Sequence, residues 1–263
     1  MKLDDVFFLN ETEIENIRLS RSRTFHLKTN IEDFTKFRQT PEKSWPKSWK
    51  VTHYKSYIRL PALELPIPKR EKWDLQELLM RRKSTRRFSG KALSMDQVST
   101  LLYFAAGQKS LLAMKNTNKR MYPSAGARYP LEVYPVILRP GGKLQQGLFH
   151  YHLPSHSLEI LQVRRFKQKL WQQFSQPWMK KGALLILITA VFDRTEEKYS
   201  NRGYRHIMTE YGHVAQNVYL VSAAQKLGCC SIGGFIDNGI NELIGINGID
   251  ESVVGTMIVG VEQ

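Results

Sequence analysis

Lys198 and Tyr199 stand side by side between an apolar run, 183–192, and a long amphipathic segment that begins near Tyr204. An amine at the end of an apolar strand and among cations can lose its proton readily enough to act as a general base, and a neighbouring phenol can orient or share that proton. An exposed loop lysine is the plainer alternative. A second group, Arg81-Arg82-Lys83-Ser84-Thr85-Arg86-Arg87, sets five cations and two hydroxyls in seven residues. Guanidinium forks take phosphate bidentately and hydroxyls add donors; a solvated basic loop is the alternative here. A third, Pro123-Ser124-Ala125-Gly126-Ala127-Arg128-Tyr129-Pro130, is a proline-bounded loop of small residues that runs into the β-prone stretch from Leu131. Small residues let a backbone approach something flat or bulky.

Other chemistries find little footing. The chain has no Walker A sequence, no G-x-G-x-x-G, no nucleophile elbow and no H-E-x-x-H. His150, His152 and His156 cluster in sequence, and His150 and His152 would share a strand face, but no carboxylate or cysteine spacing completes a metal site, so no metal is expected. Cys229 and Cys230 are adjacent and read as two small residues at the start of a buried strand. His213 reads as a core or interface histidine within the long helix, and Gly233-Gly234-Phe235 as a turn with a free backbone.

Lys and Arg total 39 against 24 Asp and Glu, a net charge of +15 over 263 residues. The excess is spread over 18–55, 69–91 and 164–181 rather than set on one helix face, and no nucleic-acid motif accompanies it. An acidic partner or peptide substrate is the expected counterpart, with no nucleic acid and no membrane. No stretch has the length of a membrane span and the first residues do not form a secretory signal, so a cytoplasmic protein is expected.

The elements that must position these groups are partly legible. Asp74 to Arg82 predicts a helix with Asp74 as N-cap and Leu75, Leu78 and Leu79 on one side. Ser94 to Ala106 predicts another, with Ser94 and Gln97 as a capping box and Gly107 as the stop. Leu131 to Leu138 predicts a strand, placed at an edge or bulge by Pro135. Gly147 to His152 and Ser157 to Gln162 predict a hairpin, Ala183 to Phe192 a central strand, and Ser252 to Val261 a final strand. Tyr204 to Leu227 predicts a long helix stopped by Gly228. Shorter helices are expected at Thr12–Leu19, Ile31–Phe37, Phe166–Phe174 and Asn241–Ile246, and a proline-punctuated extended arm at Leu60–Pro68. The order of strands and helices is α+β.

Taken together, P-S-A-G-A-x-Y-P-L-E-V-Y at 123–134, the H-Y hairpin at 147–159, Lys198-Tyr199, and R-G-Y-R-x-x-x-x-E-x-G-H-x-x-Q-N at 202–217 resemble the SagB-type dehydrogenases of the nitroreductase superfamily. The likeness covers about residues 78–261. It implies a nitroreductase-like α+β fold with a mixed or antiparallel central sheet flanked by helices. It also implies a homodimer, with FMN as cofactor. Residues 1–68 would form an N-terminal arm and 69–263 the catalytic domain. The FMN phosphate would be held by Arg82, Ser84 and Arg86, with the isoalloxazine against Pro123, Ser124, Ala125 and Gly126 and near Gly233 and Gly234. By the same resemblance, a chain that ends at Gln263, soon after its last predicted strand, would be expected to place more of the phosphate charge on Arg82, Arg86 and their neighbours. Lys198 and Tyr199 would carry catalysis, either as the base. The implied activity is oxidation of thiazoline or oxazoline rings in a precursor peptide supplied by a cyclodehydratase. Alternatives are an NAD(P)H-dependent nitro or quinone reductase and a non-catalytic scaffold subunit.

Overall fold

A computed structural model describes residues 20–31, 44–113, 117–163 and 168–263. In chain order the elements are α1 (Arg21–Lys28), α2 (Lys47–Lys50), β1 (Ala62–Glu64), α3 (Leu75–Arg81), α4 (Met95–Ala106), α5 (Ser110–Ala113), β2 (Leu131–Ile137), β3 (Gly147–His152), β4 (Ser157–Val163) and α6 (Gln168–Trp171). There follow β5 (Leu184–Val191), α7 (Asp193–Tyr199), α8 (Gly203–Ala224), β6 (Gly228–Ile232), α9 (Asp237–Ile244) and β7 (Glu251–Gly260). The predicted helix at Thr12–Leu19 lies outside the described residues, as does all of Ile31–Phe37 beyond its first residue.

The strands form one seven-stranded sheet in the order β1-β4-β3-β2-β5-β7-β6, with every neighbour antiparallel. β5 is apolar on both faces because both are covered. Leu184, Ile186, Ile188 and Ala190 pack with Leu101 and Leu102 of α4 and Ile207, Val214 and Val218 of α8. Leu185 and Leu187 point the other way, toward Leu170, Met179, Ile240 and Ile244. The result is an α/β/α sandwich in which α4 and α8 lie together on one face. The α4 capping box forms as expected, Ser94 accepting from Gln97 N while the Gln97 side chain accepts from Ser94 N. Asp74 caps α3 through the N–H groups of Gln76 and Glu77.

Several expectations need correction. β2 is an interior strand, not an edge: Pro135 pairs with Ile186 of β5, and the ladder toward β3 begins only at Val136. A proline has no N–H for a second neighbour, so the bonds to β3 start just beyond it. α8 stops at Ala224, not at Gly228; the reversal is made by Lys226 at φ 56, and Gly228 already starts β6. Of the α3 apolar side only Leu78 is buried, while Leu75 and Leu79 are 60% and 49% exposed. The helix in 166–174 is the short α6, and α9 starts four residues ahead of Asn241.

A buried charge network holds the centre of the sheet. His150, fully buried on β3, lies 2.7 Å from Glu159 and 3.1 Å from Glu132, and Glu132 also pairs with Arg194. Glu159 accepts from Ser56 Oγ and Tyr57 N, and Glu251 accepts from Tyr134, Thr189 and Lys55. These bonds fasten residues 55–57 to the sheet. His156 is separate, lying 2.8 Å from both Ser99 Oγ and Tyr151 Oη, and burial lowers its pKa to about 4.

Candidate functional site

The small-residue loop is held from below by α8. Glu210 accepts from Ser124 Oγ at 2.9 Å and from Ala125 N at 3.0 Å, and Tyr129 N closes the loop on Ser124 Oγ at 2.8 Å. Ser124 therefore donates one bond and accepts another, fixing both ends of a 3₁₀ turn at Ala125–Ala127. Within it Gly126 adopts φ +57, and an added Cβ would lie 2.6 Å from Tyr199 Oη and 3.0 Å from Lys198 Nζ. The fold thus brings the loop and the Lys-Tyr pair into contact across some seventy residues of sequence. Gly126→Ala would pay for a left-handed alanine and push both side chains aside. Its expected outcome is a loss of about 1–2 kcal/mol of stability, read by urea unfolding.

Lys198 and Tyr199 end α7. Burial raises the Tyr199 pKa, Arg128 opposes that and Glu210 adds to it, so the phenol keeps its proton near neutrality. The Lys198 ammonium lies 3.5 Å from the centre of the Trp45 ring and 5.6 Å from that of Trp49. Arg128, buried inside the loop, reaches out to Ser48 O at 2.8 Å and to Glu197 at 3.1 Å, and Ser48 Oγ donates to the same Glu197 carboxylate.

The basic segment lies farther along α8. Ser84 Oγ is 3.1 Å from Tyr219 Oη, the Arg82 guanidinium stacks over the Tyr219 ring, and Tyr219 Oη accepts from Ser231 N. Ser84 also bridges to Cys229 at the start of β6, while Arg86 is solvent-exposed. Glu210 and Tyr219 are nine residues apart on one helix, about 14 Å of rise. The loop and the basic segment are therefore two ends of a single frame. Gly233 and Gly234 follow β6; a Cβ at Gly233 would meet open space, whereas Gly234 is packed on Ser175 and Gln176.

The sequence assigns no role to Glu210, Arg128, Glu197 or Trp45, although Glu210 is the glutamate of the 202–217 motif. Glu210 carried a usable signal, for it falls between Ile207 and Val214 on the buried stripe of α8, where a carboxylate needs a purpose. Burial outweighs its bonds to Ser124 and Ala125 and raises its pKa to about 7. Between its ordinary value and 7 the folded protein holds a proton that the unfolded chain has released, so stability falls as pH rises through that window. Glu210→Gln is expected to flatten that fall and to stabilise the protein at pH 8 by up to about 3 kcal/mol, with little change at pH 4, as measured by urea unfolding.

The nitroreductase family matches residues 79–261. A provisionally named nitroreductase of Methanocaldococcus jannaschii is 33% identical over 186 residues, 70% of this chain and 91% of that protein. The trifolitoxin-processing protein of Rhizobium leguminosarum bv. trifolii is 29% identical over 52% of this chain, and the microcin B17-processing protein of Escherichia coli is 28% identical over 54%. Those matches span 38% and 53% of the two proteins' lengths. Among solved structures, an Anabaena variabilis nitroreductase-like protein superposes at TM-score 0.68 with 26% identity over 90% of this chain and 45% of that one. A chain of the E. coli microcin synthetase complex with a truncated precursor superposes at 0.59 with 19% identity, over 100% of this chain and 98% of that one. A Desulfovibrio desulfuricans nitroreductase-like protein in complex with FMN superposes at 0.50 with 14% identity, over 73% and 88%.

Proposed function

The chain belongs to the nitroreductase family, and we propose that it is an FMN-dependent dehydrogenase that oxidises thiazoline or oxazoline rings of a precursor peptide to thiazoles or oxazoles. The observation that carries this reading is the Lys198–Tyr199 pair held against Gly126 of the small-residue loop. The peptide-processing names of the Rhizobium and E. coli relatives support the substrate class, and the microcin synthetase likeness supports work beside a cyclodehydratase.

The residues fit FMN. The left-handed glycine gives a close backbone approach, the exposed guanidinium of Arg86 and the half-buried one of Arg82 suit a phosphate, and Ser84 adds a hydroxyl. The bound flavin supplies the hydride acceptor. Lys198 Nζ, having released its own proton to solvent, takes as the free amine the acidic proton from the ring carbon between the ring nitrogen and the peptide carbonyl, and the same carbon skeleton gives up a hydride, so the azoline loses two hydrogens and becomes aromatic. Tyr199, kept protonated by burial, donates to orient the ring rather than removing the proton. The net charge of +15 would draw an acidic leader segment to the enzyme. The apolar Leu75, Leu79 and Met80 left exposed on α3 suit a second copy of the chain in a homodimer. In this reading 69–263 is the catalytic domain and 1–68 an arm that reaches it.

Incubation of the yellow protein with an azoline peptide is expected to lower the peptide mass by two hydrogens. An unchanged mass, together with NAD(P)H-dependent reduction of a nitro compound or quinone, would favour the second reading, toward which the M. jannaschii likeness leans.

A further inference from the structure

The arm does more than lie on the surface. Trp45 and Trp49 pack edge to face at 6.2 Å, and the first places its ring 3.5 Å from Lys198 Nζ. Any atom within hydrogen-bond reach of Nζ, about 3 Å, lies within roughly 6.5 Å of the Trp45 ring centre. A substrate atom that reaches this amine therefore comes close to that indole. The tryptophans are held there by a dedicated clasp. Arg128, from within the small-residue loop, donates to Ser48 O, and both Arg128 and Ser48 Oγ donate to Glu197, the residue before Lys198. Arg128 is only 2% exposed, so its charge is spent on fixing the arm and α7 in one position.

We infer that Trp45, backed by Trp49, is a specificity-determining residue of the Lys198 site: an aromatic wall on which a flat five-membered heterocycle is held beside the amine. The inference rests on the reading of Lys198 as the base. An indole face attracts a cation and stacks on a planar ring with comparable ease. The resting contact with the ammonium therefore gives way to contact with the substrate ring, and the wall selects planar rings over bulky saturated groups.

The test uses flavin-loaded wild-type, Trp45→Ala and Trp45→Phe proteins with two readouts. Turnover of a thiazoline peptide is expected to show KM raised about tenfold in Trp45→Ala, kcat within about threefold of wild type, and most of the loss recovered in Trp45→Phe. Acetylation of Lys198 by a soluble acyl ester, followed by mass spectrometry, is expected to run several-fold faster in Trp45→Ala than in wild type. That second readout does not depend on the reaction. An unchanged KM in Trp45→Ala overturns the inference, as does equal impairment of the alanine and phenylalanine variants. A wild-type protein inert toward azoline peptides sinks the proposed function; unchanged acetylation then overturns the wall as well, and faster acetylation keeps it as the cover of Lys198.

Discussion

Lys198→Ala is expected to lower azoline oxidation by about 10²–10⁴-fold while the protein remains yellow, the range that a positioned general base contributes. The flavin should stay because the proposed phosphate contacts come from Arg82, Ser84 and Arg86, at the other end of α8 from Gly126 and the amine it touches. Stopped-flow absorbance at the flavin band separates the two functions. Wild-type protein mixed anaerobically with azoline peptide should bleach quickly, and the alanine variant should bleach slowly to the same end point. Tyr199→Phe should cost less, because its phenol is protonated at neutral pH and cannot take up the substrate's proton. A fully active Lys198→Ala protein would refute the assignment, and a Tyr199→Phe protein more impaired than Lys198→Ala would reverse the two roles.

The second large effect is on stability. Glu132 is buried between His150 and Arg194, and those partners, outweighing burial, hold its carboxyl at about 2. Glu132→Ala leaves a buried guanidinium and an imidazole facing a void, and should cost about 3–5 kcal/mol in urea unfolding at pH 7. Glu242→Ala breaks an ion pair with Lys169 that is exposed on both sides, and should leave the unfolding midpoint unchanged. The pH dependence has a definite sign. Glu132 has a depressed pKa, so its contribution is present above the ordinary carboxylate range and is lost as pH falls toward 2. Acid should therefore weaken wild type more than Glu132→Ala, narrowing the gap between them.

Local signals were legible wherever the information is local. The α4 capping box, the Asp74 cap and the continuous apolar run of β5 all appear in the fold as their residues dictate. Pro135 misled because its missing N–H was read as excluding neighbours, whereas β2 places its ladder to β3 just past the proline. Gly228 misled because Lys226 took the left-handed position first. His150 and His156 showed only part of their surroundings in sequence, because one partner of each is distant: Glu132 is eighteen residues from His150, and Ser99 is fifty-seven from His156. At the candidate site, the composition of the loop announced a close approach but not what approaches. That Gly126 meets Tyr199, and that Trp45 meets Lys198, depends on how β2, α7 and the segment at 45–49 are stacked, which no periodicity records.

The single helix that carries both Glu210 and Tyr219 sets a phase as well as a length. One residue inserted between them would rotate Tyr219 by about 100° about the axis relative to Glu210. Ser84 and Arg82 would lose their anchor while the Ser124 loop kept its own. The interval between those two side chains is thus under a constraint that substitution does not test: residues along it can be exchanged for others of like size, but none can be added or removed.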